Sequence, residues 1–533
     1  MKEENDNKEL IINDEETINN NKLKQSSSLK KKLLIFVAFI SICLIILYLI
    51  IIIVIKSKNK GEELSEKEIL GEIKCIYEIS DSDTQILSQD FKKESEMDIL
   101  INGQKLENFT NFYKFSKSGE YEINFVFYEN IKMNYMFKDI SSLKIVEMIS
   151  DKDLKIISME SAFENCANLK KFNMTGFNVS DLKSLHKLFY RTRNLEDINL
   201  KNFAENNIED ISFLFADSKI CNEIDLSKIE TNKVKNMSYI FYKCESITNA
   251  DIKNISMDSV SDISYMFSNC TSLENLTLTY FNNNKLENMS NLFSGCNSLK
   301  KIEFLNVETS NVKDMSSIFE NCISLSSINL SNFNTKNVKN MKNMFKNCTS
   351  LQNIELENLN TDNVEDFSGM FQKCQSLREL DLRHFNTEQG KDMSYMFESC
   401  ELLIKLNVSN FDTKNVKNMK FMFGSCRTLE SIDVYGFDTT QVEDMSGMFY
   451  NMEKVKNINI SKFETGNVVD MSYMFYNDNT LTELDLLNFD TSKVTNMSYM
   501  FSKAYKIKYL YLSSFKTNKV LDMKSMFDQC TNV

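Results

Sequence analysis

Ten of the 13 cysteines in this chain could act together, because they recur at multiples of 26 residues. In stacked repeats, neighbouring members of such a column would lie about 5 Å apart, which is within the Cα range of a disulfide. Three interpretations are open: small side chains buried in a tight turn, serial disulfides, or metal ligands. Thr192, Ser218 and Ala504 occupy the same repeat position and favour burial, and the column lacks the paired CxxC spacing of a zinc site. The column contains Cys166, Cys244, Cys270, Cys296, Cys322, Cys348, Cys374, Cys400, Cys426 and Cys530.

Histidine-based catalysis is not indicated by the sequence. The two histidines, His186 and His384, occupy different repeat positions, so no Ser-His-Asp or Cys-His site can be assembled. Carboxylates alone could serve a glycosidase-type reaction, but here they recur as columns and form no unique pair. The sequence therefore predicts a chain that is not an enzyme, with no cofactor and no metal site.

One column of acidic side chains is the candidate binding surface. Its members alternate with apolar Ile and Leu and are interleaved with asparagines, so they are expected to point away from the core. Such a ladder could contact a protein or matrix ligand, and the alternative is an acidic face that is merely solvated. The ladder contains Asp225, Asp251, Glu303, Glu355, Asp381, Asp433 and Asp485.

The columns exist because a phenylalanine recurs every 26 residues from Phe137 to Phe527, in sixteen copies without an insertion. A fixed period of this length is typical of a solenoid, in which each unit buries its apolar face only against its neighbours. The sequence therefore predicts about sixteen coils over residues 131–533. Binding must then be sought on a long repetitive surface.

A single repeat indicates what each coil contains. Ile328 and Leu330 have the spacing of a strand, whereas Val338, Met341 and Met344 recur about every three residues, like one face of a short α- or 3-10 helix. This pattern predicts an α/β solenoid whose coils each hold one short strand and one short helix or 3-10 turn.

Two polar columns are interpreted as structural. An Asn or Asp precedes the first helical Met of each coil, from Asn236 to Asp522, and is predicted to cap the N-terminus of the helix. A threonine column from Thr309 to Thr517 is predicted to bond the turns of stacked coils and not to supply nucleophiles.

An apolar segment near the N-terminus predicts a membrane anchor. Leu33 to Ile55 are 23 residues with no charge and no glycine, and a helix of that length spans a hydrocarbon core of about 30 Å. No small-residue cleavage site follows, so we expect an uncleaved signal anchor. Five lysines precede the span within residues 22–32 and four follow within 56–67, which favours a cytoplasmic N-terminus.

The resulting organisation is a single-pass type II protein of the plasma membrane. Residues 1–32 are expected to be a polar, disordered cytoplasmic tail, 33–55 the anchor, and 56–69 a charged linker. In residues 70–130 the 26-residue period is absent. Alternating runs at 73–77, 98–101 and 121–127, with turn signals Asn102-Gly103 and Ser118-Gly119, predict a small β-module that caps the solenoid.

The last residue, Val533, falls where a strand should begin. The expectation is either that the chain is shorter than its relatives or that the open apolar edge docks onto a partner, including another copy. Nucleic acid is not an expected partner. The net charge is −13, with 75 acidic and 62 basic residues, and no basic stripe is visible.

The repeat string running from Asn340 to Thr361 resembles the BspA-like leucine-rich-repeat surface proteins of bacteria and parasitic protists. The resemblance covers Met133 to Val533 and departs in its constant 26-residue period and in the early coils that lack the cysteine. It implies a right-handed solenoid displayed at a cell surface, often for adhesion, and brings no catalytic residues. We therefore expect a non-enzymatic adhesion protein. The alternatives are a rigid spacer or self-associating coat, or an intracellular scaffold if the topology is reversed.

Overall fold

The computed structural model describes residues 45–53, 67–204, 206–219, 226–250, 255–279 and 284–532. Residues 45–53 form an α-helix in the first of two compact units, Met1–Glu68. The rest of the predicted anchor, the predicted tail and most of the linker lie outside the described residues. Within the ranges just given, no helix combines the length and the apolar character needed to cross a membrane.

The second unit, Ile69–Val533, begins with an antiparallel β-module. β1 pairs with β6, β6 with β3, β3 with β4, and β2 with β5. Asn102 and Gly103 both have positive φ, 47° and 78°, as a two-residue hairpin turn between β3 and β4 requires. The strands are β1 (Gly71–Ile79), β2 (Asp83–Gln85), β3 (Met97–Ile101), β4 (Gln104–Lys105), β5 (Phe112–Lys114), β6 (Gly119–Phe127) and β7 (Ile131–Lys132).

The β-module and the first coils share one mixed sheet. It involves β8 (Leu143–Ile149), β10 (Lys171–Thr175) and β11 (Asp197–Ile198), while β9 (Ile156–Ser158) pairs with β7. β1 runs antiparallel to β8, and β8, β10 and β11 run parallel, which gives the order β11-β10-β8-β1-β6-β3-β4. The N-terminal strand edge of the solenoid is therefore hydrogen-bonded to the β-module and does not face water.

Further along, most described coils add a short parallel strand one repeat after the last, so that Ile328 lies opposite Ile354 and Leu380 opposite Leu406, whereas no strand is assigned in the two coils between residues 407 and 483. Among the described residues, 3-10 helix occurs at Lys201–Phe203 and Leu226–Lys228. The remaining strands are β12 (Asn249–Ala250), β13 (Asn275–Thr279), β14 (Lys301–Leu305), β15 (Ser327–Asn329), β16 (Asn353–Glu355), β17 (Glu379–Asp381), β18 (Lys405–Asn407), β19 (Glu483–Asp485) and β20 (Tyr509–Tyr511).

The predicted short helix in each coil is wrong. Met341 and Asn343 donate their N–H groups to carbonyls of the next coil, at 3.0 and 2.8 Å, whereas Met344 donates to Met341 within its own turn at 3.2 Å. Asn343 and Asn347 have φ of 54° and 60°, and these left-handed residues interrupt any helix. Apolar spacing near three residues fits a chain of tight turns as well as a helix, so the fold is a β-solenoid with little helix.

The number of coils is also smaller than predicted. A ladder of parallel bridges, spaced by one repeat, joins about fourteen coils from Ser184 to Asp522. Phe137 and Phe163 precede that ladder, in coils whose strands contribute to the mixed sheet. The Asn and Asp residues that were expected to cap helices are the residues that form these parallel bridges. Their side-chain oxygens cap turns instead; for example, Asp314 Oδ1 accepts a hydrogen bond from the Ser316 N–H at 2.8 Å.

The core consists of stacked identical side chains. Neighbouring rings of the phenylalanine column stack nearly parallel, as Phe137 does on Phe163 and Phe475 on Phe501, with centroids 5.3 and 5.8 Å apart. The predicted role of the threonine column is confirmed. Buried Thr361 donates to the Asn386 carbonyl at 2.9 Å and accepts the Asn386 N–H at 2.8 Å, which joins two coils.

Candidate functional site

The described part of the acidic ladder lies on the outer face of the coils, in strands for every member except Asp433, whose coil has no assigned strand. Its members occupy one repeat position and alternate with apolar residues that are mostly buried, as an extended backbone requires. Glu303 is half-buried and the others are exposed. The predicted Asp225 and Asp251 lie outside the described residues. The five described members are Glu303, Glu355, Asp381, Asp433 and Asp485.

In three described strand pairs, the residue opposite a ladder carboxylate on the adjacent coil is uncharged. In the described strand pairs, Thr277 lies opposite Glu303, Asn329 opposite Glu355, and Asn407 opposite Asp381. At one strand spacing per coil, about 4.8 Å, carboxylates two coils apart are about 10 Å apart. That distance is close to the Debye length at physiological salt, so their mutual repulsion is small.

The aspartates of the ladder also have a structural role. Their Oδ1 atoms accept the backbone N–H two residues on, at 3.1 Å for Asp381, 3.2 Å for Asp433 and 3.1 Å for Asp485. Asn329 accepts in the same way at 2.8 Å. An asparagine therefore keeps the turn cap while removing the negative charge, whereas a lysine would remove the cap and reverse the charge.

Two of the ladder carboxylates already contact cations. Glu303 lies 2.6 Å from Lys301, and Asp381 lies 2.6 Å from Arg383. Hydrogen bonds from the Arg383 side chain lower the pKa of Asp381. Exposed pairs of this kind contribute little to stability, so a cationic group on a ligand can replace the intramolecular partner.

Two shallow depressions open on the strand face. The larger, about 840 Å³, is lined by Asp381, Lys405, Asn407 and Asp433, with buried Leu406 also in its lining. The second, about 460 Å³, is lined by residues that include Asn459, Asp485 and Tyr511. Each combines apolar lining with charged and amide groups, which is the composition expected of a ligand contact.

The structure contains one contact that resembles a catalytic pair and that sequence reasoning missed. His186 Nδ1 lies 2.7 Å from Ser212 Oγ, because the two residues are stacked one repeat apart. Ser212 is only 2% exposed, so a substrate could not reach its hydroxyl. His384 Nε2 contacts the Leu356 carbonyl at 2.8 Å. Among the described residues, neither histidine forms a hydrogen bond or an ion pair with a carboxylate, although His384, after Arg383, also helps to lower the pKa of Asp381.

The cysteine column is buried, as the first of the three interpretations expects. Cys348, for example, is fully buried, and its thiol donates to the Phe319 carbonyl of the preceding coil at 3.1 Å. Burial raises the pKa of the Cys426 thiol to about 12. Cys244 is disulfide-bonded, whereas the other nine column members are free thiols, of which Cys530 is half-buried.

Two further predictions concern metal binding and the open edge of the last coil. Across the described ranges, no group of three or more His, Cys, Asp or Glu side chains is arranged to hold a metal ion. In the last coil, Leu521, Met523 and Phe527 are exposed, Leu521 to 88%. Self-association through this edge stays a prediction.

Sequence reasoning also missed an aromatic surface, which we call the aromatic edge. It consists of two columns. The first column is the first of the two left-handed positions in each coil, which Asn343 occupies in its coil, and the second column is the residue three positions later, such as Lys346. Phe213, Tyr239 and Tyr265 stack in the first of these columns, with centroids 4.2 and 4.4 Å apart. The recurring Met-Ser-Tyr-Met-Phe string is the sequence signal that could have revealed it.

Stacked 26-residue coils, most of them with one short parallel strand and all with a series of tight turns, define a repeat β-solenoid. No curated protein matches the chain. A family model matches residues 131–253, 157–280, 262–380, 352–456, 374–477 and 428–533, and the chain belongs to that family, which is described as "Mycoplasma protein of unknown function, DUF285". Membership of a repeat family is thus confirmed, whereas the BspA-like assignment stays a prediction.

Two solved structures are among those similar to this chain. A leucine-rich cell surface protein from Faecalibacterium prausnitzii A2-165 is 13% identical, with 78% of this chain and 89% of that chain covered and a TM-score of 0.28. The TLR13–ssRNA13 complex is 14% identical, with 75% and 72% covered and a TM-score of 0.18.

Proposed function

We propose that this chain is a non-enzymatic, surface-displayed adhesion protein that binds a protein or matrix ligand through the outer face of its strands. The observation that carries the proposal is the repeated carboxylate ladder beside two depressions with mixed apolar and polar lining. Because the same side chains recur in many coils, weak contacts at single coils can add up to strong multivalent binding.

Display at the membrane is part of the proposal. The helix over 45–53 is apolar on every side and its side chains are largely exposed, for example Ile45 at 58% and Leu47 at 54%. A helix that is apolar all round needs an apolar environment, and the uncharged segment Leu33 to Ile55 is long enough to supply a membrane anchor. The lysine distribution supports a type II orientation with the repeats outside the cytoplasm.

Support for a binding role over catalysis comes from the site chemistry. Ser212, which contacts His186, is buried, and the ladder carboxylates are repeated without a distinct acid–base pair. The resemblance of the repeat string to BspA-like proteins adds an adhesive role to the proposal. The alternative, a spacer without a specific ligand, is favoured by the turn-capping bonds that Asp381 and Asp433 make.

A neutral substitution of the ladder tests the two roles separately. In the variant Asp381→Asn, Asp433→Asn and Asp485→Asn, each turn keeps its cap while three charges are removed. Cells that express this full chain are compared for attachment to immobilised collagen, laminin and fibronectin. We expect at least tenfold weaker attachment, with unchanged thermal unfolding, if the carboxylates contact the ligand.

The matched control carries the same change on another part of the coil. Asp412, Asp438 and Asp490 also cap turns through Oδ1, at 3.1, 2.9 and 3.0 Å, but they occupy a different repeat position that lies outside the ladder. Changing these three to Asn removes the same charge and should leave attachment intact. Equal loss of attachment in both variants, or unchanged attachment in the ladder variant, would support the spacer.

A further inference from the structure

The aromatic edge carries two clusters of rings. The first cluster is centred on the stacked residues Phe213, Tyr239 and Tyr265, and the second extends from Tyr395 to Tyr499 over five coils. Between them, four successive coils have small or polar residues in the first column: Asn291, Ser317, Asn343 and Gly369.

The rings of the first column occupy a conformation that disfavours them. Phe213, Tyr239 and Phe421 have φ of 57°, 60° and 48°, a region that asparagine and glycine adopt readily and bulky residues avoid. Asn343 and Gly369 occupy the same repeat position with φ of 54° and 62°. Half-exposed rings are held in these positions although Asn343 and Gly369 fit the same position with less strain, which indicates a contact surface.

We propose that this edge pairs with the same edge of a second copy of the chain, antiparallel, around a two-fold axis between the coils of Ser317 and Asn343. In a two-fold contact, each residue i that meets j is matched by a j that meets i. A second copy has the same coil spacing by identity, so the facing pairs follow from counting coils outward from the axis. The axis lies at the centre of the stretch without aromatic residues.

Counting coils outward from that axis places rings against rings. Tyr265 of one copy meets Tyr395 of the other, and Tyr239 meets Phe421. Offset or edge-to-face ring pairs of this kind stabilise interfaces beyond their area. Tyrosine is also among the residues that most often dominate binding energy at protein interfaces.

The same count places large residues against small ones. In the first column, Phe213 lies opposite the coil of Gly447, which is buried against the Phe421 ring and adds no protruding side chain. In the second column, Tyr242 and Tyr450 lie opposite the coils of Gly424 and Ala216, which are also buried and do not protrude. Alternation of large and small side chains across an interface is what close packing requires.

The charges at the axis are complementary too. Glu320 and Lys346 occupy the second column on either side of it, 3.3 Å apart within one chain. In the dimer, Glu320 of each copy meets Lys346 of the other, so four charges alternate in sign. Further out, Lys187 meets Tyr473, which is a cation–π pairing. This complementarity selects a second copy as the occupant.

The first test is the self-association of the full chain in detergent micelles, measured by sedimentation equilibrium over a range of protein concentrations. We expect a monomer–dimer equilibrium whose dissociation constant rises at least tenfold in the variant Tyr239→Asn with Phe421→Asn. Asn343 shows that asparagine fits the first column. A chain that stays monomeric, or a dimer that the double variant does not weaken, would overturn the proposal. The Asp438→Asn variant, which keeps its turn cap and lies outside both the aromatic edge and the ladder, is the control and should dimerise normally.

The second test determines the register. Asn269 and Ser399 have φ of 61° and 60°, and both occupy the second left-handed position of their coils. The two-fold axis brings Asn269 of one copy against Ser399 of the other, while the two copies of Asn269 lie about five coils apart. Chains carrying Asn269→Cys and Ser399→Cys, with different tags, should form a mixed disulfide under mild oxidation. Cross-linking of Asn269→Cys with itself, or none in the mixture, would contradict the antiparallel register. Because the strand face takes no part, this result is independent of ligand binding.

Discussion

Asp478 is a carboxyl group in the buried cysteine column, and replacing it by asparagine should stabilise the solenoid. Asp478 is 0% exposed, its Oδ1 accepts the Met452 N–H at 2.7 Å, and its Oδ2 has no hydrogen-bond partner. Column thiols donate to the phenylalanine carbonyl 29 residues earlier, as Cys374 does to Phe345. The amide of Asp478→Asn can keep the Met452 bond and donate to the equivalent carbonyl, that of Phe449.

The size of the effect follows from the unsatisfied oxygen and from its titration. Satisfying a buried orphan polar atom contributes about 1–3 kcal/mol. Burial also raises the pKa of Asp478 well above its usual value. The unfolded chain therefore releases this proton first, and native stability falls as pH rises above about 4 until the folded pKa is passed. Over that range the advantage of asparagine grows by about 1.4 kcal/mol per pH unit.

The assay is urea unfolding of the full chain at pH 5, 6 and 7, followed by circular dichroism. Asp485→Asn is the matched control, because it removes one exposed carboxylate in the same part of the solenoid and keeps its turn cap. We expect Asp478→Asn to unfold at higher urea than the wild type, with a gap that widens with pH. Equal midpoints, or a gap independent of pH, would refute the reasoning.

Three further predictions concern the packing of the coils. Thr361→Val should lower the free energy of unfolding by about 1–3 kcal/mol, because it leaves the N–H and carbonyl of Asn386 unsatisfied, while Thr361→Ser should recover most of the loss in urea unfolding. In the native protein at pH 8, iodoacetamide should modify half-buried Cys530 at least tenfold faster than buried Cys426, as measured by mass spectrometry. Equal rates would contradict the burial of the cysteine column. Gly176→Ala should destabilise by about 1–3 kcal/mol, since φ is 77° and the new Cβ meets the Ser150 carbonyl, whereas Gly466→Ala, with 3.7 Å of clearance, should be silent in thermal unfolding.

The sequence could predict the repeat and the inward positions but not the backbone of the coil. Ile328, Leu330, Met341 and Met344 are all buried, as their spacing indicates. The helix was wrong because three-residue apolar spacing does not distinguish a helix from successive turns. The deciding feature is the left-handed conformation of residues such as Asn343, which is adopted by many side chains in this column and leaves no single sequence mark.

The candidate surfaces were predictable to different degrees. The outward direction of Asp381 and Asp485 follows from strand alternation, and both are exposed. Their turn-capping role was not foreseen, because it depends on the bend that follows the strand. The aromatic edge was missed because Tyr239 and Phe421 read as ordinary members of a variable repeat position, and only the stacked geometry brings their columns together.

Display of the repeats outside the cell is the claim on which an adhesive role depends, and accessibility of a C-terminal tag tests it most directly. The full chain with this tag is expressed, and intact cells are treated with antibody and with protease before and after permeabilisation. If the repeats are displayed outside the cell, we expect the tag to be stained and cleaved on intact cells. A tag reached only after permeabilisation would place the solenoid inside the cell and contradict a surface adhesion protein.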